Sequence, residues 1–319
     1  MDDPSHTSSH VSSVVRPANA NTRFVHPGPR LEAAWLDRAY RRAVTLDAPA
    51  MSAPGVRLVW CCGDELGWHD LVAHRRAFAV VGRHTQCDVV LPQDAAVALR
   101  HLLLRATELE DGAMALRVLD LRTGLGFHLD DETERRALAT VGPLAMRVGR
   151  YALVALPSGV DLPDERPQAE ILESSHMPRH ASSTGRITSV TTLPPAPLLE
   201  DILRDVAAPS HARLTLRRGG KWATVDLPDA ALDAGVLVGR ADRCETRLRP
   251  VLTESVSRVH LLLLRENATV HAFDVASLQG IYADGARVRR VRLPDEGGTL
   301  RLASKDPVLL EWHPRAAVA

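Results

Sequence analysis

The sequence predicts an all-β protein made of two antiparallel β-sandwiches joined by a flexible linker. Two stretches of about 100 residues each resemble one another along most of their length, and such a repeat marks a repeated structural unit. Within each stretch, short runs alternate apolar and polar residues and are separated by Gly, Asp, Asn and Pro, which is typical of antiparallel strands. Neither stretch contains a convincing helix of ten residues.

Residues 1–55 are predicted to be a disordered segment with room for one short helix. The first thirty or so residues are rich in Ser, His, Asn and Pro, a composition that does not support a packed core. In the following RLEAAWLDRAYRRAV, Leu31, Trp35 and Ala39 lie about one helical turn apart. This spacing favours a short amphipathic helix.

The two repeats, 56–157 and 212–313, match segment by segment and in the same order. RLVWCCGDELGWHDL parallels RLTLRRGGKWATVDL, and FAVVGRHTQC parallels GVLVGRADRC, with a Cys four residues after the Arg in both. Further on, DLRTGLGFHLDD parallels DVASLQGIYADG, with a Gly six residues after the Asp in both. We therefore predict two equivalent domains.

Residues 158–211, between the repeats, are predicted to be a flexible linker because of their Pro, Ser and Thr content. This segment contains four threonines that a kinase could modify: Thr184, Thr188, Thr191 and Thr192. A phosphorylated threonine here would favour self-interaction, since tethering raises its effective concentration near a binding domain of the same chain. The alternative is an ordinary linker with no such role.

Charge and cysteine content limit the partners and the compartment. The 319 residues include 39 Lys and Arg and 39 Asp and Glu, so the chain lacks the net basic charge of a dedicated nucleic-acid binder. Its four cysteines have no metal-ligand spacing and fit a reducing interior. The N-terminus has no apolar core of signal-peptide length, and no apolar run approaches a bilayer span. We expect a cytoplasmic protein that does not insert into membranes.

Three motifs follow one another in the second repeat. Gly239-Arg240 ends an apolar run, Ser257-Arg258-Val259-His260 precedes another, and DVASLQG, from Asp274 to Gly280, follows the next. In this order they resemble the forkhead-associated (FHA) domain family, whose members are β-sandwiches that bind phosphothreonine peptides through loops at one end. The resemblance covers both repeats, about two-thirds of the chain, and implies two tandem copies.

The resemblance assigns the ligand residues of the second repeat. It implies that Arg240 and Ser257 contact the phosphate, while Gln279 replaces the usual Asn that bonds the peptide backbone. Arg258 either lies beside the peptide or is an ordinary solvated cation. The chemistry agrees, because a phosphothreonine carries close to two negative charges and three acceptor oxygens, and the planar arginine fork stays charged and can bind bidentately.

The same resemblance implies structural roles for three residues of the loops. Gly239 is the turn glycine, His260 braces the loop from behind, and Gly280 belongs to the loop scaffold. Two departures from the family pattern predict weaker or altered selectivity: Gln279 is one methylene longer than Asn, and Ile281 stands where a small hydroxyl residue is usual. The loop after Gly239 also carries several arginines, which favour anions: Arg240, Arg243, Arg247 and Arg249.

The first repeat is a degenerate copy. Gly82-Arg83 is present, but Ala98-Leu99-Arg100-His101 replaces the Ser-Arg-x-His motif, and Leu125 and Phe127 stand where an amide and a hydroxyl residue are expected. The scaffold positions His101 and Gly126 remain. We predict a sandwich that does not bind phosphothreonine.

These observations predict a non-enzymatic adaptor in Ser/Thr-kinase signalling. Its partner would be a phosphothreonine-containing protein, such as a Ser/Thr kinase or a substrate of one, captured by the C-terminal domain. The alternative is a phosphate-independent docking component of a multiprotein assembly such as a secretion system. No cofactor or metal is expected, since HExxH, a Cys/His ligand cluster, GxSxG, a Walker loop and GxGxxG are all missing from the sequence.

Overall fold

The computed structural model describes residues 33–73, 77–129, 134–158, 170–172, 189–192, 210–266 and 269–314. The N-terminal part of the segment predicted to be disordered, and most of the predicted linker, lie outside the described residues. The predicted all-β class is confirmed, with two antiparallel sandwiches in sequence. In the part of the chain that is described, no helix is both long and apolar enough to cross a membrane.

The first sandwich follows helix α1, which spans Ala33–Val44. One of its sheets has the order β2-β1-β11-β10-β7-β8, and the other includes β9-β6-β5-β3-β4. The strands are β1 Gly55–Cys62, β2 Glu65–Val72, β3 Phe78–Gly82, β4 Val89–Val90, β5 Leu102–Glu108, β6 Met114–Asp120, β7 Phe127–His128, β8 Glu134–Arg135, β9 Ala137–Val141, β10 Leu144–Val148 and β11 Tyr151–Pro157. Alternate side chains of both sheets fill a core that includes Leu58, Leu104 and Met146.

Helix α1 covers the outer face of the first sheet. Its buried residues Leu36, Ala39, Tyr40 and Ala43 have the three-to-four-residue spacing of one helical face. They pack in one apolar cluster with side chains of the strands below, including Val154. The short helix predicted from the sequence is therefore part of the first sandwich.

Two pieces of the predicted linker also form strands. These are β12 Glu170–Leu172 and β13 Ser189–Thr192. Strand β13 pairs antiparallel with β9, with Thr191 opposite Ala139, and β12 pairs parallel with β13. Both add to the edge of the second sheet of the first sandwich.

The second sandwich repeats this plan. Its sheets have the orders β15-β14-β23-β22-β19-β20 and β16-β17-β18-β21. Its elements are β14 Ser210–Arg218, β15 Lys221–Pro228, helix α2 Asp229–Ala234, β16 Val236–Val238, a 3₁₀ helix Thr246–Val251, β17 Leu261–Glu266, β18 Thr269–Asp274, β19 Ile281–Ala283, β20 Ala286–Val288, β21 Arg290–Arg292, β22 Gly298–Leu302 and β23 Val308–Pro314. Trp312 is buried at the centre of the core.

The two sandwiches pack face to face through a continuous apolar layer, which we call the shared layer. At its centre the rings of Phe78 and Phe273 meet edge to face, with centroids 5.2 Å apart, an arrangement that aromatic pairs favour. The layer consists of Phe78, Val80, Cys87, Leu103, Leu119, Leu121 and Ala137 from the first sandwich and Leu237, Cys244, Val259, Leu262, Leu264, Phe273, Val275 and Ala276 from the second.

Charged residues complete this interface. Arg105 Nε donates to Glu266 Oε1 at 2.9 Å, and both side chains are mostly buried. Arg289 pairs with Asp88 at 2.6 Å, and its guanidinium lies 4.8 Å from the centre of the Phe78 ring. The sandwiches are thus held by direct apolar and ionic contacts in addition to the chain between them.

This contact leaves a signal in the sequence that pattern analysis overlooked. In the run Leu261–Leu264, Leu261 and Leu263 enter the core of the second sandwich, whereas Leu262 and Leu264 enter the shared layer. A strand buried on both faces has a continuous apolar run instead of alternation. The run LLLL therefore indicates a second buried face.

We expect Phe273→Ala to lower the free energy of unfolding by about 3–5 kcal/mol, because it opens a cavity in the shared layer. Trp222→Ala is the matched control, since the Trp222 side chain is 69% exposed; it should change stability by only about 0.5 kcal/mol. Guanidinium unfolding followed by circular dichroism measures both. Equal losses in the two variants would contradict a buried shared layer.

Candidate functional site

Two loops meet at one end of the second sandwich. The long loop (residues 239–260) connects β16 to β17, and the short loop (residues 275–280) connects β18 to β19. Ser257 of the long loop and Leu278 of the short loop are joined directly, since the Leu278 N–H donates to Ser257 Oγ at 3.0 Å. The predicted site residues are therefore brought to one place, although Arg240 and Gln279 lie 39 residues apart in the sequence.

Gly239 lies where the two ends of the long loop cross. A Cβ built on Gly239 would lie 2.9 Å from the carbonyl carbon of Arg258 and 2.9 Å from Val259 Cα. Any side chain would push these backbone segments apart, so the crossing requires glycine. The crossing places Arg240 beside Ser257, and the Arg240 N–H donates to the Ser257 carbonyl at 3.4 Å.

His260 ties the two loops together from inside. The ring is fully buried; its Nδ1 accepts from the Ser257 N–H at 3.0 Å, and its Nε2 lies 3.0 Å from the Gly280 carbonyl. Because Nδ1 is an acceptor, Nε2 carries the hydrogen and donates it. Burial lowers the pKa of His260 to about 4, although the bond to Gly280 opposes this shift. The bridge is therefore made by a neutral ring.

Ser257 is buried, and its hydroxyl is aimed by the short loop. Ser257 Oγ already accepts a hydrogen bond from Leu278, so its own hydrogen remains available to donate. A buried hydroxyl that keeps a free hydrogen is suited to an anion that enters between the two loops.

Arg240 is half-buried, and one of its three guanidinium nitrogens is hydrogen-bonded to the loop. Its Nε donates to the Val256 carbonyl at 2.7 Å. Across the described ranges, no ion pair joins Arg240 to a carboxylate, so both terminal NH₂ groups are available. This is the arrangement needed for a charged bidentate contact with a phosphate.

Three other arginines of the long loop are already engaged. Arg247 Nε donates to Glu245 at 2.8 Å, and Arg249 pairs with Asp242 at 2.8 Å. Arg243 extends into the interface, where its Nη2 donates to the Arg100 carbonyl at 2.9 Å. Of the five arginines in this loop, Arg240 and the exposed Arg258 are therefore the two whose terminal guanidinium nitrogens make no such contact within the described residues.

The short loop contains turns that are held by hydrogen bonds from backbone amides to side chains at its start. Asp274 Oδ1 accepts from the Ser277 N–H at 2.7 Å, and Ser277 Oγ accepts from the Gly280 N–H at 2.9 Å. Burial raises the pKa of Asp274, and the hydrogen bonds from Ser277 oppose the shift. Gly280 has φ +78°, a left-handed conformation that favours glycine.

Gln279 lies at the rim of the site. Its Oε1 accepts from Ser304 Oγ at 2.5 Å, so its amide NH₂ remains free to donate to a peptide carbonyl. Arg258 is exposed. Within the described residues its guanidinium makes no hydrogen bond or ion pair. Its backbone carbonyl accepts from the Ala241 N–H at 2.7 Å.

Arg287 is a cation at this rim that sequence reasoning missed. Its Nη2 donates to the Ser277 carbonyl at 3.4 Å, and its Cδ lies 3.0 Å from where a Cβ of Gly280 would be. It comes from β20, outside all three motifs, and neither spacing nor residue type marks it. Only the pairing of β19 with β20 brings it to the loop.

The first sandwich has the same scaffold. His101 Nδ1 accepts from the Ala98 N–H at 3.0 Å, and its Nε2 lies 2.9 Å from the Gly126 carbonyl. Burial lowers the pKa of His101, as it does for His260. Arg83 Nε donates to the Val97 carbonyl, which matches the bond between Arg240 and Val256.

Three of the four ligand positions of the first sandwich are apolar. Ala98 replaces Ser257 and removes the hydroxyl, while Leu99 and Leu125 replace Arg258 and Gln279. These two leucine side chains are 41% and 46% exposed. The first sandwich thus has the same backbone frame but keeps one polar donor of the candidate site, Arg83, which is the equivalent of Arg240.

Comparisons with known proteins find similarity to one family of domains. Residues 236–302 match the family model described as "FHA domain". Among solved structures, the FHA-1 domain of Rv1747 from Mycobacterium tuberculosis is similar at 28% identity, over 34% of this chain and 100% of that chain, with TM-score 0.26. The yeast Dun1 FHA domain, solved with a doubly phosphorylated peptide derived from Rad53, is similar at 14% identity over 42% of this chain and 96% of that chain, with TM-score 0.28. No curated protein matches the chain.

Stability should fall as the pH drops from 6.5 toward 4. The pKa of His260 is about 4 in the folded protein against an ordinary value of 6.5, so in this window the unfolded chain binds a proton that the folded chain does not. Each pH unit then costs about 1.4 kcal/mol for this histidine, and the contribution is complete above pH 6.5.

Urea unfolding at a series of pH values measures this slope. His260→Gln should be less stable at neutral pH and show a shallower slope below pH 6.5. His313→Gln is the control, since the His313 side chain is 56% exposed, and it should keep the slope of the unsubstituted protein. An unchanged slope in His260→Gln would argue against a buried neutral ring.

Proposed function

Because residues 236–302 match the family model of the FHA domain, we propose that the second sandwich binds phosphothreonine segments of a partner protein and that the chain is an adaptor in Ser/Thr-kinase signalling. Capture of phosphorylated motifs by arginine-bearing loops is a recurrent mode of peptide recognition that includes this family. The partner would be a phosphorylated protein such as a Ser/Thr kinase or its substrate.

The observation that carries the proposal is that the acceptors of the site are occupied and its donors are free. Val256 fixes the Arg240 guanidinium, Leu278 fixes the Ser257 oxygen, and Ser304 occupies the Gln279 oxygen. Within the described residues, the terminal NH₂ groups of Arg240, the hydroxyl hydrogen of Ser257 and the amide NH₂ of Gln279 remain as donors for a ligand. A phosphate dianion accepts and does not donate, so its chemistry complements this set.

Each donor of the site suits a different part of a phosphothreonine peptide. Arg240 and Ser257 suit the phosphate oxygens, because one supplies a charged fork and the other a short neutral donor. Gln279 at the rim suits a peptide carbonyl. The exposed cations Arg258 and Arg287 suit acidic groups next to the phosphothreonine.

The first sandwich fits a different role. It keeps Arg83 but lacks the hydroxyl and the amide, so we propose that it does not hold phosphothreonine. The strand pairing of Thr191 and Thr192 in β13 favours a separate partner over self-capture of these two threonines, since a bound peptide would have to leave the sheet. Thr184 and Thr188 lie outside the described residues.

Arg240→Ala should weaken binding of a phosphothreonine peptide by about 100-fold, which corresponds to the loss of a charged bidentate contact. Isothermal titration of the full chain with a peptide selected from a degenerate phosphothreonine library measures the dissociation constant, with the unphosphorylated peptide as reference. The full chain is needed because a fragment would expose the shared layer.

Arg83→Ala is the matched control, since Arg83 makes the equivalent bond to a loop carbonyl in the first sandwich. It should leave the dissociation constant within about twofold. Equal binding of phosphorylated and unphosphorylated peptides by the unsubstituted chain would defeat the proposal and favour phosphate-independent docking.

Ser257→Ala should weaken the same peptide by about tenfold, because one hydrogen bond to a charged acceptor is lost. Binding of the unphosphorylated peptide should not change. The same titrations measure both values. A loss that is equal for the two peptides would place Ser257 in the loop scaffold instead of at the phosphate.

A further inference from the structure

One arginine of the first sandwich lies under the candidate binding loop of the second. Arg100 Nε donates to the Val275 carbonyl at 2.7 Å and to the Ala276 carbonyl at 3.1 Å, and its Nη2 also donates to the Ala276 carbonyl. These carbonyls begin the short loop. The contact therefore joins the degenerate motif of one sandwich to the ligand loop of the other.

Arg100 is unusual because it is a buried cation. Its exposed fraction is 5%, and burial lowers its pKa. Within the described part of the chain, the Arg100 guanidinium has no ion pair with a carboxylate. It donates hydrogen bonds to backbone carbonyls of the other sandwich instead. Burying a charge is costly unless hydrogen bonds compensate, so this contact requires both sandwiches to be in place.

The contact is made at a residue of the short loop that has an unfavourable backbone conformation. Ala276 has φ +59°, a left-handed conformation that costs a residue with a side chain about 1–2 kcal/mol. Arg100 binds the carbonyls of Ala276 and of the residue before it. It can therefore hold the conformation that begins the loop.

From Ala276 the hydrogen bonds lead directly to the ligand groups. The next residue, Ser277, closes the turn with Asp274, and the Leu278 N–H then fixes the Ser257 hydroxyl. Gln279 follows at the rim. If the start of the loop moves, the Leu278 N–H moves away from Ser257 Oγ, and the serine loses its orientation.

The second sandwich has no equivalent of the Arg100 side-chain contact, although its Arg243 donates to the Arg100 backbone carbonyl at 2.9 Å. Arg100 corresponds to Val259 in the second sandwich, and Val259 is an apolar member of the shared layer. The first sandwich has lost the serine and arginine that bind a ligand, but it has gained an arginine one position later. That arginine supports the loop of its neighbour.

We infer that Arg100 is a positioning residue for the phosphopeptide site, so that the first sandwich sets the affinity of the second. This inference rests on the proposed function for its effect on affinity, but the effect on the loop can be measured without a ligand. It assigns to the degenerate sandwich a role other than binding a peptide of its own.

The test replaces Arg100 by Met in the full chain, which keeps an unbranched stem similar to the aliphatic part of arginine and removes the donors. Hydrogen exchange of the Ser277, Leu278 and Gly280 amides, all bonded to side chains in the loops, should become faster. Binding of the selected phosphothreonine peptide should weaken by about tenfold, within the usual range of coupling between sites.

Arg117→Met is the matched control. Arg117 also belongs to the first sandwich and donates to a backbone carbonyl of the second, that of Asp233 at 2.8 Å, but this carbonyl lies in α2, away from the loops. This variant should leave the three amides and the peptide affinity unchanged. Equal effects of the two substitutions would reduce Arg100 to a general interface contact and overturn the inference.

A double-mutant cycle separates positioning from loss of stability. If Arg100 acts through Leu278 and Ser257, then Ser257→Ala should cost clearly less affinity in the Arg100→Met background than in the unsubstituted chain. Additive losses would overturn the inference. If the unsubstituted chain binds no phosphopeptide, the proposed function fails, and the exchange data alone decide: unchanged exchange in Arg100→Met refutes the positioning role, and faster exchange supports it.

Discussion

The shared apolar layer is the constraint on which the rest of this structure depends. A sandwich normally buries one face of each sheet, but here the outer face of one sheet in each sandwich is buried against the other sandwich. The two domains are thereby held in one arrangement, and the edge-to-face contact of Phe78 with Phe273 lies within it. Polar groups at the margin of the layer, such as Arg100, can then make buried hydrogen bonds that a flexible pair of domains could not keep.

The two copies of the fold separate what the scaffold requires from what a ligand requires. In both, a buried neutral histidine accepts from one loop and donates to the other, and an arginine Nε is fixed on a loop carbonyl. These contacts hold the backbone whether or not anything binds. The hydroxyl of Ser257 and the amide of Gln279 occur only in the second copy, since Ala98 and Leu125 stand at the equivalent positions of the first. The difference lies in side chains placed on one backbone frame.

Much of the candidate site could be predicted because its motifs are local. The spacing from Gly239 to Arg240 and from Ser257 to His260 places each group on a loop whose ends are set by neighbouring strands. Arg287 and Arg100 could not be found in this way. The first reaches the site through a strand pairing, and the second reaches it from another domain, at a position that the family pattern leaves variable.

The sequence by itself determined the class of fold, the repeat and the side chains of the two loops, because strand alternation and loop motifs are short-range properties. It also predicted that the two sandwiches are connected by a linker, but not that they are packed together. Only the tertiary structure decided what packs on Leu262 and Leu264. An apolar run indicates that both faces of a strand are buried, but it does not identify the element that covers the second face. The direction of Arg100 was decided in the same way, since a buried cation is stable only where distant carbonyls are brought to meet it.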